Sequence, residues 1–292
     1  MANNIELVQK FVPVIDEIYQ NAALTGKLDA SVQTGGFEGT NAIKVMKIET
    51  SGMGDYSKEN GYPAGDVSVT WETIQLEEDR GKEITIDRMD NDETLALAFG
   101  GAMGDFMRNH VIPEVDAYRF AKYAAGAGTT VTGDFATGED ILAEIDKASA
   151  AMDEIGVPAE DRMLYIATKH KPLLMGAVAR QFGNDGKISR VLNAYNDMEI
   201  VYVPQNRFYT ALTMNSGADA WGYAKGTGAK DINFLMVAKS AVMQAKKMEL
   251  PKIFDPDTYQ KKDAWCFQYR LYHGAHVYEN KTKGVYAHVA TT

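Results

Sequence analysis

Residues 43–48 and 67–76 alternate like the two arms of a β-hairpin, yet a long polar connection, with four glycines and one proline, separates them. On the first arm Ile43 and Val45 share one face and Met46 and Ile48 the other, so the apolar side changes partway along. On the return arm Val67, Val69 and Trp71 alternate until the pattern jumps to Ile74 and Leu76, the kind of slip that a β-bulge or twist produces. Compact domains seldom carry so long a connection without a functional reason. A two-stranded arm with so little apolar surface is marginal by itself. It needs a partner surface, and the expected source is another chain.

Beyond the hairpin the pattern turns helical. Asn91 and Asp92 are candidate N-caps with Glu93 in the first turn, and Leu95, Phe99, Ala102, Phe106 and His110 recur at helical spacing. Val111, Val115 and Tyr118 carry the stripe toward Gly126, which predicts one helix about 45–50 Å long. Gly100, Gly101, Gly104 and Pro113 weaken its interior, so the expectation is a kink near Pro113 or very close packing along the glycines. Thr137 and Asp140 form a capping-box pattern ahead of Ile141, Leu142, Ile145, Met152 and Ile155, and Gly156 fits the C-cap. RMLYIAT reads as a buried strand, TKHKPLLMGAVAR as a helix broken near Pro172, and MEIVYVP as another strand, so residues 130–235 form a mixed α/β unit. DAWCFQYRLYHGAHVY is a long half-buried strand expected to turn at ENKTKG and return as VYAHVA in a C-terminal hairpin.

The 292 residues are 45% hydrophobic, enough for one large or two modest cores. No apolar run approaches the ~20 residues that span a bilayer, and the N-terminus lacks a signal-peptide pattern, so a cytosolic, membrane-free protein is expected. One cysteine, Cys266, excludes an intrachain disulfide. A net charge of −10 argues against a sequence-independent nucleic-acid binder. From Lys239 onward there are nine Lys or Arg against five Asp or Glu, a net +4 that leaves −14 on residues 1–238. Such polarity steers subunit against subunit, or else marks two solvated faces.

The chemistry-bearing residues do not assemble into a catalytic pattern. His273 and His276 point to opposite faces of a strand, and His110 with Glu114 lacks a third ligand. GYAKGTGAKD matches neither phosphate-loop pattern and reads as a loop, and Cys266 reads as a small apolar strand residue. No catalytic, cofactor-binding or metal-binding residue is assigned, and no enzyme activity or cofactor is expected.

A projecting hairpin, a very long helix, an α/β unit and late strands occur here in the order of a known family. GYPAGDVSVTWETIQLEEDRGKEITIDRMDNDET (61–94), EDILAEIDKASAAMDEIGVPAEDRMLYI (139–166) and PKIFDPDTYQKKDAWCFQYRLYHGAHVYENKTKGVYAH (251–288) resemble the major capsid proteins of tailed bacteriophages. These share the Hong Kong 97-type fold with encapsulin shells. The resemblance implies an α+β fold with an N-terminal arm (1–42), an extended β-hairpin loop (43–88), a peripheral domain holding the long spine helix and C-terminal strands (89–129 and 241–292) and an axial domain (130–240). It implies that the loop lies over a neighbouring subunit and that copies join as hexamers and pentamers around DNA. The implied partners are a separate scaffolding protein, a portal and a decoration protein. The implied location is the virion capsid, assembled in the bacterial host cytoplasm. Candidate assembly residues are Lys58 and Tyr62 near the tip, Trp71 on the return arm, and Arg80 and Arg88 beyond it. Some relatives cross-link a loop lysine to an asparagine; Lys58 and Asn280 are the available pair, with no local motif behind either. The alternatives are an encapsulin-type nanocompartment shell and, in a different class, a soluble α/β enzyme with a lid hairpin.

Overall fold

Apolar side chains at nearly every position of two strands, Arg162–Ala167 and Ile232–Ala238, explain the centre of the molecule, because a strand covered on both faces has no polar side. The computed structural model describes residues 23–28, 35–38, 42–59, 61–93, 97–177, 181–182, 188–189, 194–196 and 198–291. Most of the arm assigned to residues 1–42 lies outside them.

In chain order the structure contains β1 (Gly35–Glu38), β2 (Ala42–Thr50), β3 (Val67–Gln75) and β4 (Glu78–Asp87), then helices α1 (Arg88–Glu93), α2 (Leu97–Phe106) and α3 (Ile112–Ala125). β5 (Thr129–Thr132), α4 (Gly138–Asp153), β6 (Arg162–Ala167) and α5 (Lys171–Ala177) follow. The short strands β7 (Gln181–Phe182), β8 (Ile188–Ser189) and β9 (Ala194–Tyr195) precede β10 (Met198–Val203), β11 (Leu212–Met214) and β12 (Tyr223–Lys225). The chain ends with β13 (Ile232–Ala238), β14 (Val242–Phe254), β15 (Ala264–Val277) and β16 (Val285–Val289).

A six-stranded sheet of order β5-β16-β13-β6-β10-β9 forms the centre, with β6 and β10 parallel and β13 antiparallel to both of its neighbours. Alternate residues divide its faces. Met163, Tyr165, Leu235 and Val237 pack with Tyr118, Phe120 and Tyr123 of α3, while Leu164, Ile166, Phe234 and Met236 pack with Ile141, Ile145 and Met152 of α4. The α4 capping box is present: Thr137 Oγ1 accepts from the Asp140 N–H at 3.2 Å, and Asp140 Oδ2 accepts from the Thr137 N–H at 2.9 Å. Gly156 takes φ +73° just past the helix, as a C-cap glycine should. Pro172, expected to break a helix, instead occupies the second position of α5, where its missing N–H is harmless.

A second sheet, β14-β15-β4, is wholly antiparallel and lies under α2 and the start of α3, with Met103, Phe106, Met107 and Val115 against Phe267, Tyr269 and Leu271. The expected C-terminal hairpin does not form. β15 pairs with β14 and β4, while β16 leaves it to join β13 and β5. VYAHV is buried at all five positions, which suits the central sheet, whose two faces are covered by α3 and α4.

Two details of the spine helix differ from expectation. Helix starts earlier than expected, with α1 at Arg88, where Asp87 Oδ1 accepts from the Met89 N–H at 3.0 Å, so Asn91 and Asp92 lie inside α1 and do not cap it. From Leu97 to Ala125 the rod carries a π-helical turn at Met107–Val111 immediately before Pro113. Proline cannot donate to Asn109, and the wider turn absorbs the missing bond. Nor do the glycines make close contacts within the protomer: a Cβ at Gly100 or Gly101 would meet nothing within 4 Å.

Candidate assembly surface

β2 and β3 pair from Ala42↔Gln75 to Thr50↔Val67 without a register shift, so of the bulge or twist that the phase jump suggests, the bulge is absent. What changes is the face that is covered. At the root, Ile43, Val45, Ile74 and Leu76 pack on Met243 and Ala245 of β14 and on Tyr278 just past β15. Three contacts fix this crossing: Tyr272 Oη donates to Leu76 O at 3.1 Å, His276 Nε2 lies 2.7 Å from Glu72 Oε1, and Gly274 admits Leu76 so closely that a Cβ would stand 2.9 Å from its Cδ2. Past the root the covered face ends. Met46, Ile48, Val67, Val69 and Trp71, on the opposite face, are 50–68% exposed. Met46 lies directly across from Trp71 and Ile48 across from Val69, so these side chains form one contiguous apolar patch. Contiguous exposed apolar surface makes this face a candidate interaction site.

The tip closes with a Ser57↔Gly61 bridge, and Gly61 supplies the positive φ (+76°) that the turn needs. Lys58 sits in that turn as an exposed charge. Tyr62, 88% exposed, stands edge-on to Tyr56 with ring centres 5.0 Å apart. Asn280 lies in the exposed 3₁₀ turn Glu279–Gly284.

Arg80 and Arg88 are engaged within the protomer. Arg80 clasps Glu114 of the spine helix with Nε at 2.7 Å and Nη2 at 3.3 Å, while Nη1 donates to Asn215 O at 2.6 Å and Nη2 to Gly222 O at 3.2 Å. The Glu114 carboxylate raises its pKa further. Arg88 pairs with Asp257 and with Asp263, the latter at 3.2 Å. Part of the C-terminal positive charge is likewise answered inside the chain: Arg270 Nε donates to Asp79 Oδ1 at 2.8 Å, and Lys261 lies 3.7 Å from Glu83. Lys58, Tyr62 and Trp71 thus belong to one projecting element, whereas Arg80 and Arg88 hold the ends of β4. Sequence reasoning overlooked Tyr56 and Trp221, which is 67% exposed. The available signal for Trp221 was a large aromatic in the turn-rich stretch NSGADAWG.

Among the described residues no group of three His, Cys, Asp or Glu side chains is placed to hold a metal, and no helix is long and apolar enough to cross a membrane. Cys266 is buried, and burial pushes its thiol pKa up, away from reactivity. His273 is held neutral: burial, with the Arg119, Lys246 and Arg80 charges, pushes its pKa down to about 3. The unfolded chain takes up this proton near pH 6.5 and the folded chain does not, so His273 removes stability progressively from pH ~6.5 to ~3, at about 1.4 kcal/mol per pH unit. His273→Leu should therefore lose about 2–3 kcal/mol less than wild type between pH 7.5 and 4.5 in urea titrations; an equal loss in the two proteins would refute this.

No family model matches the sequence, and no curated protein does. Solved structures do. The capsid structure of Cyanophage P-SCSP1u aligns over 88% of this chain and 85% of its own, with TM-score 0.63 and 16% identity. Gordonia phage Cozz gives 92% and 87% coverage, TM-score 0.62 and 13% identity. The virus-like particle from Pyrococcus furiosus gives 97% and 99%, TM-score 0.56 and 11% identity. The chain has the Hong Kong 97-type capsid fold. These alignments cover 92% and 97% of the chain.

Proposed function

We propose that the chain is the coat subunit of a tailed phage, assembling as hexamers and pentamers into an icosahedral shell around double-stranded DNA. One observation carries this reading: a capsid-type fold holds out a hairpin whose distal face is apolar and uncovered. Burying that face on a second copy couples ordering of the arm to shell formation. Residues 1–42 serve as arm, 43–88 as extended loop, 89–129 with 241–292 as peripheral domain and 130–240 as axial domain. β4, at the end of the segment assigned to the loop, pairs with β15 and so ties that segment to the strands of 241–292. The net charge of −10 suits a shell that encloses DNA without gripping it. A separate scaffolding protein, a portal and a decoration protein are the proposed partners, the virion capsid is the location, and the host cytoplasm is where assembly takes place.

Similarity to the Pyrococcus furiosus particle favours a second reading, a nanocompartment shell of the encapsulin type. Negative-stain microscopy of the expressed protein tests the shared claim: closed particles of uniform diameter are expected, and a strictly small oligomer under all conditions would overturn it. The contents of particles from the native host separate the two readings, nuclease-protected DNA supporting the coat and packaged protein the nanocompartment.

A further inference from the structure

A cleft of about 360 Å³ opens where β4, the spine helix and the loop between β11 and β12 meet. That volume falls in the ~300–1,000 Å³ range of pockets that bury small organic groups. Phe106, Val111, Val115 and Leu271 make its lining partly apolar. His273 also lines it, 2% exposed, and its Nδ1 has no hydrogen-bond partner. Buried polar atoms are seldom left this way. A hydroxyl group satisfies this nitrogen in either tautomer, since it both donates and accepts. At the mouth, Lys82 Nζ lies 4.8 Å from the centre of the exposed Trp221 ring and 5.6 Å from that of Phe106. Lys82 makes no ion pair among the described residues, whereas Asp79 and Glu114, the carboxylates lining the cleft, are held by Arg270 and Arg80. The cleft therefore suits an aromatic group that carries a hydroxyl and arrives on an acidic segment.

The chain presents that chemistry at the hairpin tip. Tyr62 is the most exposed tyrosine there, and residues 49–66 carry Glu49, Asp55, Glu59 and Asp66 against Lys58 alone. We propose that the hairpin tip of one protomer docks in this cleft of a second copy, with the Tyr62 phenol against His273 and the tip carboxylates facing Lys82. The inference rests on the self-assembly reading and adds to it the receptor and the anchoring side chain. Trp221 and Lys82 then have a shared role, as the cationic aromatic rim that the incoming ring passes.

The test places the photoreactive residue p-benzoylphenylalanine at position 62 of the full chain, irradiates assembled particles and maps the cross-linked peptides by mass spectrometry. Intersubunit links to residues 106–115, 215–223 or 269–273 are expected. Links to any other segment of the neighbour, or none in intact particles, overturn the proposal while leaving self-assembly standing. Absence of particles from wild-type protein defeats the shell reading itself, and the proposal with it. Tyr62→Phe keeps the test decisive where the bulkier probe blocks assembly. Loss of one hydroxyl contact should raise the concentration at which particles appear about two- to tenfold, and an unchanged threshold overturns the imidazole contact.

Discussion

Asp116→Ala is expected to destabilise the protomer by about 3–5 kcal/mol, the range for breaking a buried charged cluster from one side. Asp116 is fully buried on the spine helix and gathers donors from a segment far away in sequence: the Leu24 N–H at 3.1 Å, the Thr25 N–H at 3.2 Å and the Thr25 hydroxyl at 2.7 Å. Arg207 approaches it to 3.6 Å, Arg119 Nη1 donates to Thr25 Oγ1 at 2.9 Å, and Gln244 Nε2 donates to Thr25 O at 3.1 Å. Removing the carboxylate strands two backbone donors and leaves nearby guanidinium charge uncompensated in a region of low dielectric. Asp116→Asn keeps the volume and some acceptor capacity, so its loss should be smaller. Urea midpoints of the two variants against wild type measure this. A cost below about 1 kcal/mol for the alanine variant would show that residues 23–28 are not anchored as described.

This anchor shows why parts of the molecule could not be read from sequence. Asp116 reads there as one acid on a helix, and nothing near it in the chain announces that Thr25 is its partner. The cleft is assembled in the same way, from residues 79–82, 106–115, 215–223 and 269–273, which only the folded topology brings together. Local periodicity, by contrast, was legible. The helical stripe through Phe106 and Val115, the Thr137 capping box and the buried alternation of β15 all follow from residues within one element. The change of face along the hairpin was also legible, because alternation in a strand records which side is apolar. The phase jump between Trp71 and Ile74 is compatible with a bulge or a twist, and a perfectly registered strand covered on one face at its root and apolar on the other beyond it gives the same letters. VYAHVA misled for a related reason, since a short apolar strand after a turn signal is as compatible with the next sheet as with the strand it has just left.

That change of face leads to the second large effect, a pair of substitutions three residues apart on β3. Ile74 is 4% exposed and packs on Met243 and Tyr278 at the hairpin root, so Ile74→Ala should cost the protomer about 2–4 kcal/mol through lost burial and the cavity left behind. Trp71 is 55% exposed on the other face, next to Met46 and in line with Val69. Trp71→Ala should leave the thermal midpoint of the unassembled protomer nearly unchanged. If that face is buried between copies, truncating an aromatic anchor there should cost about 2–4 kcal/mol at each contact, roughly 30- to 1,000-fold in contact affinity, and closed particles should fail to form at concentrations where wild type assembles completely. Thermal unfolding of dilute protomer, with light scattering of assembly reactions on the same samples, separates the two variants: one loses stability first and the other assembly first. A Trp71→Ala protomer that melts several degrees lower while its particles form normally would place Trp71 in the protomer's own core, and the exposed hairpin face would no longer explain assembly.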